Sequence, residues 1–358
     1  MLEIIKLDNI EGLENYKRIL SSFSFIEPHF LVDYIDIFSD GLENMICFSF
    51  ISDNNNSHII MPGYLKPIVI DDEKTDYYDF ITPYGYTGPF FSENTNEIDV
   101  SEFWNNVDKW YLNNNVVTEF IRFNLFGNHL NYSGNAFLTM LNVKGKIINE
   151  EEQWKEFDHK VRKNVNKAKR ENLSSEVFYI DITEDKVLEF YEIYIQTMKR
   201  TGANESFLYP LAQFKRFLYN NKQHAAICTV YIDNVVVSSE LLLVSKEAIY
   251  SFLGGTNEIY FDKRPNDYLK VEALNWARSI DKKYYVLGGG YGFEDGIFKY
   301  KKSFFPSDVV EYYTGRKIIN LNIYNELIDK VNVFRDKNGL IKLSLEDISF
   351  FPLYNKIK

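Results

Sequence analysis

The chain has 358 residues, of which 45% are hydrophobic, 25% charged and 16% aromatic. This composition excludes a wholly disordered or fibrous protein, and the length suggests two domains. The net charge of −11 opposes binding to nucleic acid or an anionic membrane unless basic residues are clustered, and no DNA partner is expected. No apolar run is long enough to predict a transmembrane segment.

Cysteine and histidine usage indicates neither a metal site nor a disulfide framework. Cys47 and Cys228 both lie in apolar, strand-like runs. Two such cysteines favour a reducing, cytoplasmic compartment. The five histidines lack the spacing of a zinc site, so no metal is predicted.

Residues 1–145 are predicted to mix helices and strands. A strand at 44–51 is followed by polar turn residues at 54–56 and a returning strand. Residues 80–91 are rich in Gly, Pro and aromatic rings, which is typical of a structured loop. The predicted helices are 28–38 and 98–113, and the predicted strands are 44–51, 58–61 and 116–125.

The second half is predicted to be an α+β region built around a strand meander. A meander followed by a helix and a further strand is not a run of βαβ units. The predicted helices are 150–172, 186–199, 211–219 and 267–280, and the predicted strands are 225–232, 235–245, 248–253 and 284–287. Residues 296–320 are expected to add a helix and a strand.

Two basic features are candidate anion contacts. Lys160 to Arg170 contains six basic residues and no acid. These charges could bind phosphates or an RNA backbone, or they could be solvated charges that favour a helix C-terminus. Arg200 precedes Gly202, a common helix-ending residue, and is either an anion contact or part of a plain helix end.

Two glycine-rich segments and one carboxylate are further candidates. Gly254 and Gly255 at a strand end would let backbone amides approach a ligand. The glycines at 288–290 precede Lys301, which could stabilise a developing negative charge or a phosphate. Glu240 interrupts an apolar strand, either as an outward-facing residue or as a buried general base with a raised pKa.

In chain order these motifs resemble one family, the FemAB-type, GNAT-like transferases, which are also described as BioF2-like acetyltransferases. The loop 82–89 resembles its T-P-Y-G-Y-x-G-P element, although Asn124 and Leu125 replace the His and Pro of a following I-R-F-H-P element. The other matching stretches are RKNVNKA at 162–168, YIQTMKRTGA at 194–203, Gly254-Gly255 with PNDYL at 265–269, and LGGG at 287–290 with YKKSF at 300–304.

The resemblance implies tandem GNAT-like domains, each a mixed, mostly antiparallel sheet flanked by helices. They are expected at 1–145 and 146–320, with a tail at 321–358 that packs on the core. The implied function is an N-acyltransferase acting on an amine of a cell-envelope precursor, either a peptidoglycan peptide or an amino sugar of a surface polysaccharide. The alternative is a catalytically inactive GNAT-fold protein that binds a glycan or nucleotide-sugar.

The implied co-substrate is acyl-CoA or aminoacyl-tRNA, with no tightly bound cofactor. The acceptor would be a small-molecule or lipid-linked precursor, met in the cytoplasm or at the inner face of the membrane. Lys301 and Glu240 are the candidate catalytic residues. The candidate substrate- and donor-binding residues are Arg162, Lys163, Asn164, Arg200, Tyr84, Tyr86, Gly254, Gly255, Asn266, Tyr268, Gly288, Gly289 and Gly290.

Overall fold

The computed structural model describes residues 1–53 and 56–356. Residues 54 and 55 of the predicted turn, and 357 and 358 of the predicted tail, lie outside the described residues. The chain forms two compact units, which are not contiguous in sequence. The first unit comprises Met1–Ser24, Phe38–Thr139 and Tyr312–Lys358, and the second comprises Phe25–Ile37 and Met140–Glu311.

The described residues form strands and helices along the whole chain. The strands are β1 (Leu2–Lys6), β2 (Met45–Ile51), β3 (His58–Ile70), β4 (Glu73–Ile81), β5 (Phe90–Phe91), β6 (Val116–Arg122), β7 (Asn135–Lys146), β8 (Ser174–Tyr179), β9 (Ala225–Ile232), β10 (Val235–Val244), β11 (Ala248–Thr256), β12 (Tyr284–Gly288) and β13 (Val309–Ile318). The helices are α1 (Ile10–Leu20), α2 (Val32–Phe38), α3 (Glu97–Asn113), α4 (Glu150–Glu156), α5 (His159–Arg170), α6 (Glu184–Thr201), α7 (Leu211–Asn220), α8 (Pro265–Ser279), α9 (Gly296–Lys302) and α10 (Leu321–Lys337).

The first unit is built on strands in the order β1-β2-β3-β4-β6-β13, with β5 on β3. Neighbours are antiparallel except for β4 and β6, which are parallel. Helix α3 covers the sheet with the buried side chains of Phe103, Trp104 and Tyr111. The apolar residues of α3 recur every three or four positions, which is why the sequence predicted this helix almost to the residue.

The second unit has the strand order β8-β9-β10-β11-β12-β7. Here β11 and β12 are parallel and the other neighbours are antiparallel. Asp233 and Asn234 both have positive φ, the backbone that a tight two-residue turn between β9 and β10 requires. The core of this unit combines β9, β10 and β12 with α5 and α8.

The two units share one order of elements. Each has four antiparallel strands, a helix before a fifth, parallel strand (α3 or α8), and a final antiparallel strand. The final strand of each unit comes from elsewhere in the sequence: β7 follows β6 in the chain but pairs with β12, whereas β13 follows β12 but pairs with β6. The predicted α+β class, with two mixed, mostly antiparallel sheets flanked by helices, is confirmed.

This exchange of strands explains why the compact units differ from the predicted ranges 1–145 and 146–320. Thr314 to Ile318 pair with β6 and therefore belong to the first unit. The tail also lies in that unit, where Tyr324, Leu327 and Tyr354 pack with Ile68 and Val117. The residue composition along the chain does not indicate which distant strands pair, so it could not predict these units.

The single helix predicted at 150–172 is wrong, because the structure has two helices, α4 and α5. The chain is extended at Phe157, whose ψ is 141°. The N–H of Asp158 donates to the carbonyl of Ser303 at 2.9 Å, so a distant segment holds the break. The predicted helix at 28–38 is likewise split into a 3-10 turn at Pro28–Phe30 and α2.

Candidate active site

The site is built where the two parallel strands of the second unit stop pairing. β11 and β12 pair at three positions, from Ala248 with Tyr284 to Tyr250 with Val286. Within the described residues, no pairing between these strands continues beyond Tyr250. In the first unit, β4 and β6 pair at four positions, and the N–H of Thr82 extends the contact by donating to the Phe120 carbonyl at 3.1 Å. In the second unit, β11 therefore continues to Thr256 beyond its last described pairing with β12.

A buried ion pair lies next to the last position at which β11 pairs with β12. The Nζ of Lys270 on α8 is 2.5 Å from the Oε1 of Glu240 on β10, and both side chains are at most 9% exposed. Ser251, the first residue beyond the paired positions, donates its hydroxyl to the same carboxylate oxygen. The Tyr285 hydroxyl donates to the other oxygen at 3.1 Å.

These contacts exclude the outward-facing alternative for Glu240. Both of its oxygens already accept hydrogen bonds, so its carboxylate is occupied by groups of the chain itself. This placement suits a group that anchors a buried network better than a base that deprotonates a substrate. The general-base role assigned to Glu240 from the sequence therefore gains no support from the contacts.

Lys270, Ser251 and Tyr285 were absent from the sequence-predicted site. Residues Tyr268 to Val271 of α8 are all buried, so Lys270 lies in a helix that is covered on several sides. A lysine in such a position requires a buried partner. Glu240, isolated in an apolar strand, was the matching signal, but only the three-dimensional structure joins the two.

Lys301 is held at the end of β12 by the glycine turn. Its Nζ donates to the Gly289 carbonyl at 2.6 Å. Burial lowers the pKa of Lys301 to about 8, and the charge of Lys270 acts in the same direction, whereas Glu240 and Asp295 raise this pKa. A lysine with this environment can carry a positive charge near neutrality and can release its proton at modestly alkaline pH.

The three glycines of the turn are required by packing. Gly288 has φ of +76°, a backbone that favours glycine. A Cβ on Gly289 would lie 3.0 Å from the backbone oxygen of Leu141, and one on Gly290 would overlap the Asp295 carboxylate. The turn therefore brings β12, β7 and the start of α9 close together. Contact of its amides with a donor stays a prediction.

Asp295 fixes the direction of α9, and so the position of Lys301. Its Oδ1 accepts the N–H of Phe298 at 2.8 Å, and its Oδ2 accepts the N–H groups of Tyr291 and Gly292. These backbone hydrogen bonds lower the pKa of Asp295. The carboxylate thus caps the helix that carries Lys301.

The beginning of α8 is occupied by side chains of the chain. Asn164 of α5 donates to the Oδ1 of Asp267 at 3.0 Å, and Asn266 donates to the Tyr300 hydroxyl at 2.9 Å. Burial raises the pKa of Asp267, with the Asn164 hydrogen bond and the charges of Arg264 and Lys160 opposing that rise. Tyr268, a candidate binding residue from the sequence, is buried in the core of this unit.

Arg162 is used within the fold. Its guanidinium donates to the carbonyls of Lys155 at 2.9 Å, Trp154 at 3.4 Å and Phe157. It therefore satisfies the carbonyls left unpaired at the end of α4. This explains why the residue is needed at the helix break, while the predicted phosphate contact of Arg162 stays a prediction. Lys163 is exposed on the same helix.

Arg200 is also engaged. Its guanidinium lies 5.0 Å from the centre of the Phe261 ring, and its Nε is 4.0 Å from a Glu258 oxygen. These contacts join the end of α6 to the 3-10 segment Glu258–Lys263. An anion bound by Arg200, as predicted, would have to compete with the Glu258 carboxylate.

The glycine pair on β11 admits a neighbouring helix. A Cβ on Gly255 would lie 2.5 Å from both the Ile193 carbonyl oxygen and the Thr197 hydroxyl of α6. The N–H of Thr256 donates to that same hydroxyl at 3.1 Å. A Cβ on Gly254 would lie 3.0 Å from the Ser239 carbonyl oxygen of β10. The predicted approach of a ligand to these amides is replaced, at Gly255, by close packing of α6.

Gly255→Ala should therefore lower the free energy of unfolding, by about 1–3 kcal/mol, because the new methyl group forces α6 away from β11. Urea unfolding of the purified chain measures this loss. Gly292→Ala is the matched control, since a Cβ there has open space. Equal stability of the two variants would contradict the packing role and return Gly255 to the list of ligand contacts.

Tyr84 and Tyr86 belong to the first unit. Tyr84 is 54% exposed, and its N–H donates to the Ser39 hydroxyl at 3.1 Å. Tyr86 packs edge-on against Tyr312 with ring centres 5.8 Å apart. Their predicted role toward an acceptor stays a prediction.

The helices and the possible metal-ligating side chains bear on membrane and metal binding. Across residues 1–53 and 56–356, none of the helices combines the length and apolar character needed to cross a membrane. Over the same residues, no group of three or more His, Cys, Asp or Glu side chains is arranged to hold a metal ion.

The chain is similar to known proteins in part of its sequence and in its fold. A family model described as an acetyltransferase (GNAT) domain matches residues 159–302. FemX superposes with a TM-score of 0.61 at 11% identity, covering 90% of this chain and 99% of that chain. Comparison with curated proteins gave no match.

Two further structures are similar at the level of the fold. The C-terminal domain of a putative lysylphosphatidylglycerol synthetase from Agrobacterium fabrum has a TM-score of 0.57 at 11% identity, covering 93% of this chain and 99% of that domain. L-PGS from Bacillus licheniformis has a TM-score of 0.54 at 12% identity, covering 90% and 96%. Residues 159–302 therefore match a model of the acetyltransferase (GNAT) domain, and the fold of the chain resembles that of FemX.

Proposed function

We propose that the protein is an N-acyltransferase that transfers an aminoacyl group to an amine of a cell-envelope precursor. The observation that carries the proposal is Lys301, a largely buried lysine held by the Gly289 carbonyl just after β12, within the residues that match a GNAT domain model. The acceptor would be a peptidoglycan peptide or an amino sugar of a surface polysaccharide, at the cytoplasmic side of the membrane.

In the proposed reaction the acceptor nitrogen attacks the carbonyl carbon of the donor. A C–N bond forms, the ester bond to the terminal ribose oxygen of the tRNA breaks, and the proton lost by the amine ends on that oxygen, which leaves as a hydroxyl group. Negative charge develops on the carbonyl oxygen as the nitrogen attacks. The ammonium group of Lys301 would stabilise this charge in a site with little water.

The start of α8 supports aminoacyl-tRNA over acyl-CoA as the donor. A helix N-terminus binds phosphate through free N–H groups. Here Pro265 lacks an N–H group, and the buried Asp267 carboxylate already lies in the first turn. A pyrophosphate would be repelled by this carboxylate. The exposed charges of Lys160, Lys163 and Arg170 on α5 suit the phosphates of an RNA instead.

The test is to supply labelled acetyl-CoA and, separately, tRNA charged with a labelled amino acid, over muropeptide and amino-sugar acceptors. Label should move from the tRNA to an acceptor amine. Lys160→Glu with Lys163→Glu should reduce this transfer strongly at low salt, with Glu151→Gln on α4 as a surface control. Transfer only from acetyl-CoA would overturn the donor. Glycan binding without transfer from either donor would overturn the enzymatic function.

A further inference from the structure

The buried pair of Lys270 and Glu240 and the side chain of Lys301 share one neighbouring segment, β12 with its glycine turn. Tyr285 on β12 contacts both members of the pair, because its hydroxyl donates to Glu240 and its ring centre is 5.9 Å from the Lys270 Nζ. Four residues further along β12 and its turn, the Gly289 carbonyl accepts the Lys301 ammonium. One strand therefore contacts both the ion pair and Lys301.

The pair is fixed in place by more than its own attraction. Lys270 also donates to the Ser251 hydroxyl at 2.8 Å, and Ser251 in turn donates to Glu240. The pair thus joins α8, β10 and β11 at the level where β11 and β12 stop pairing. Charges held this rigidly in a water-poor interior act on neighbouring charges with little screening.

We propose that Lys270 and Glu240 are positioning residues that set the protonation state of the Lys301 side chain. This inference rests on the proposed role of Lys301 in acyl transfer. Lys270 disfavours a second ammonium group nearby, and Glu240 favours it. Asp295, at the start of α9, adds a further negative charge. Of the neighbouring tyrosines, Tyr285 donates its hydroxyl to Glu240, and the hydroxyl of Tyr300 accepts from Asn266.

The ion pair gives the site a means of tuning that does not involve substrate contact. Without Lys270, the Glu240 carboxylate would act on Lys301 alone and hold its proton more tightly. Without the charge of Glu240, Lys270 would act alone and the proton would leave more readily. The two substitutions should therefore move the titration of Lys301 in opposite directions.

Competitive labelling of lysines with trace acetic anhydride tests this inference without any substrate. Labelling of the peptide that contains Lys301 is followed by mass spectrometry from about pH 6 to about pH 10, a range below the ordinary lysine pKa of about 10.4. Lys270→Met should move the midpoint for Lys301 upward, and Glu240→Gln should move it downward. Each pH unit of movement changes the labelling rate below the midpoint by about tenfold.

Lys270→Arg is the conservative control and should leave the midpoint close to that of the natural chain. Lys299, exposed on α9, serves as the internal reference and should label identically in all variants. If Lys270→Met does not fold, Glu240→Gln alone decides, because glutamine keeps the shape and an acceptor oxygen. An unchanged midpoint, or an upward shift in Glu240→Gln, would overturn the inference. Because no acceptor or donor is used, such a result leaves the proposed acyl transfer to its own assay.

Discussion

Lys270→Met is expected to lower the free energy of unfolding by about 3–5 kcal/mol, the usual effect of removing one partner of a buried ion pair. Glu240 would keep its hydrogen bonds from Ser251 and Tyr285 but would lose the opposite charge at 2.5 Å. A carboxylate buried without a counter-charge is costly. Urea unfolding, followed by fluorescence, measures the loss.

The chain offers a matched control at the surface of the same unit. Lys283 and Glu247 are also 2.5 Å apart, but their side chains are 65% and 42% exposed, against 9% and 6% for Lys270 and Glu240. Lys283→Met should therefore cost less than about 1 kcal/mol. The double variant Lys270→Met with Glu240→Gln should regain most of the stability lost in Lys270→Met. A similar loss in Lys270→Met and Lys283→Met would show that burial does not determine how strongly the pair of Lys270 and Glu240 stabilises the fold.

Strands β9 to β12 of the second unit could be predicted closely from the sequence, whereas β7 and β8 were not predicted. Their apolar residues are continuous, and short polar turns at Asp233-Asn234 and Lys246-Glu247 separate β9, β10 and β11. Such turns fix the partner of each strand locally. The pairing of β7 with β12 and of β13 with β6 depends on contacts between distant segments, so no local pattern announces it.

Several candidate residues serve the fold in a way that the motifs do not reveal. Arg162 lies in a basic run, yet its guanidinium is directed to the carbonyls of α4. Gly255 lies at a strand end, yet α6 packs against it. A motif records that a residue type is required, whereas the structure shows whether a neighbouring helix or a ligand requires it.

The ion pair illustrates the remaining limit of prediction from local patterns. Glu240 was noticed because it interrupts an apolar strand, and Lys270 lies among buried residues of a helix that starts at Pro265. Thirty residues separate the two charges in sequence. From the sequence alone, the side chain of either residue could be exposed. The two charges need each other only because both are buried.

Lys301→Met should reduce kcat/KM for acyl transfer by about 10²–10³-fold, as expected when one group that stabilises the developing oxyanion is removed. The fold should persist, because among the described residues the Lys301 ammonium makes one hydrogen bond, to the Gly289 carbonyl. Lys299→Met, on the exposed side of the same helix, is the matched control and should retain normal turnover.

The pH dependence distinguishes the charged form of Lys301 from the neutral one. Its pKa is lowered to about 8, chiefly by burial, so a reaction that needs the ammonium group should slow as the pH rises through about 8. A reaction that uses the neutral amine as a base would instead accelerate over the same interval. Loss of rate above this pH in the natural chain, with no such inflection in the residual activity of Lys301→Met, supports charge stabilisation. An increase in rate would assign Lys301 to proton abstraction, and full activity of Lys301→Met would remove it from the mechanism.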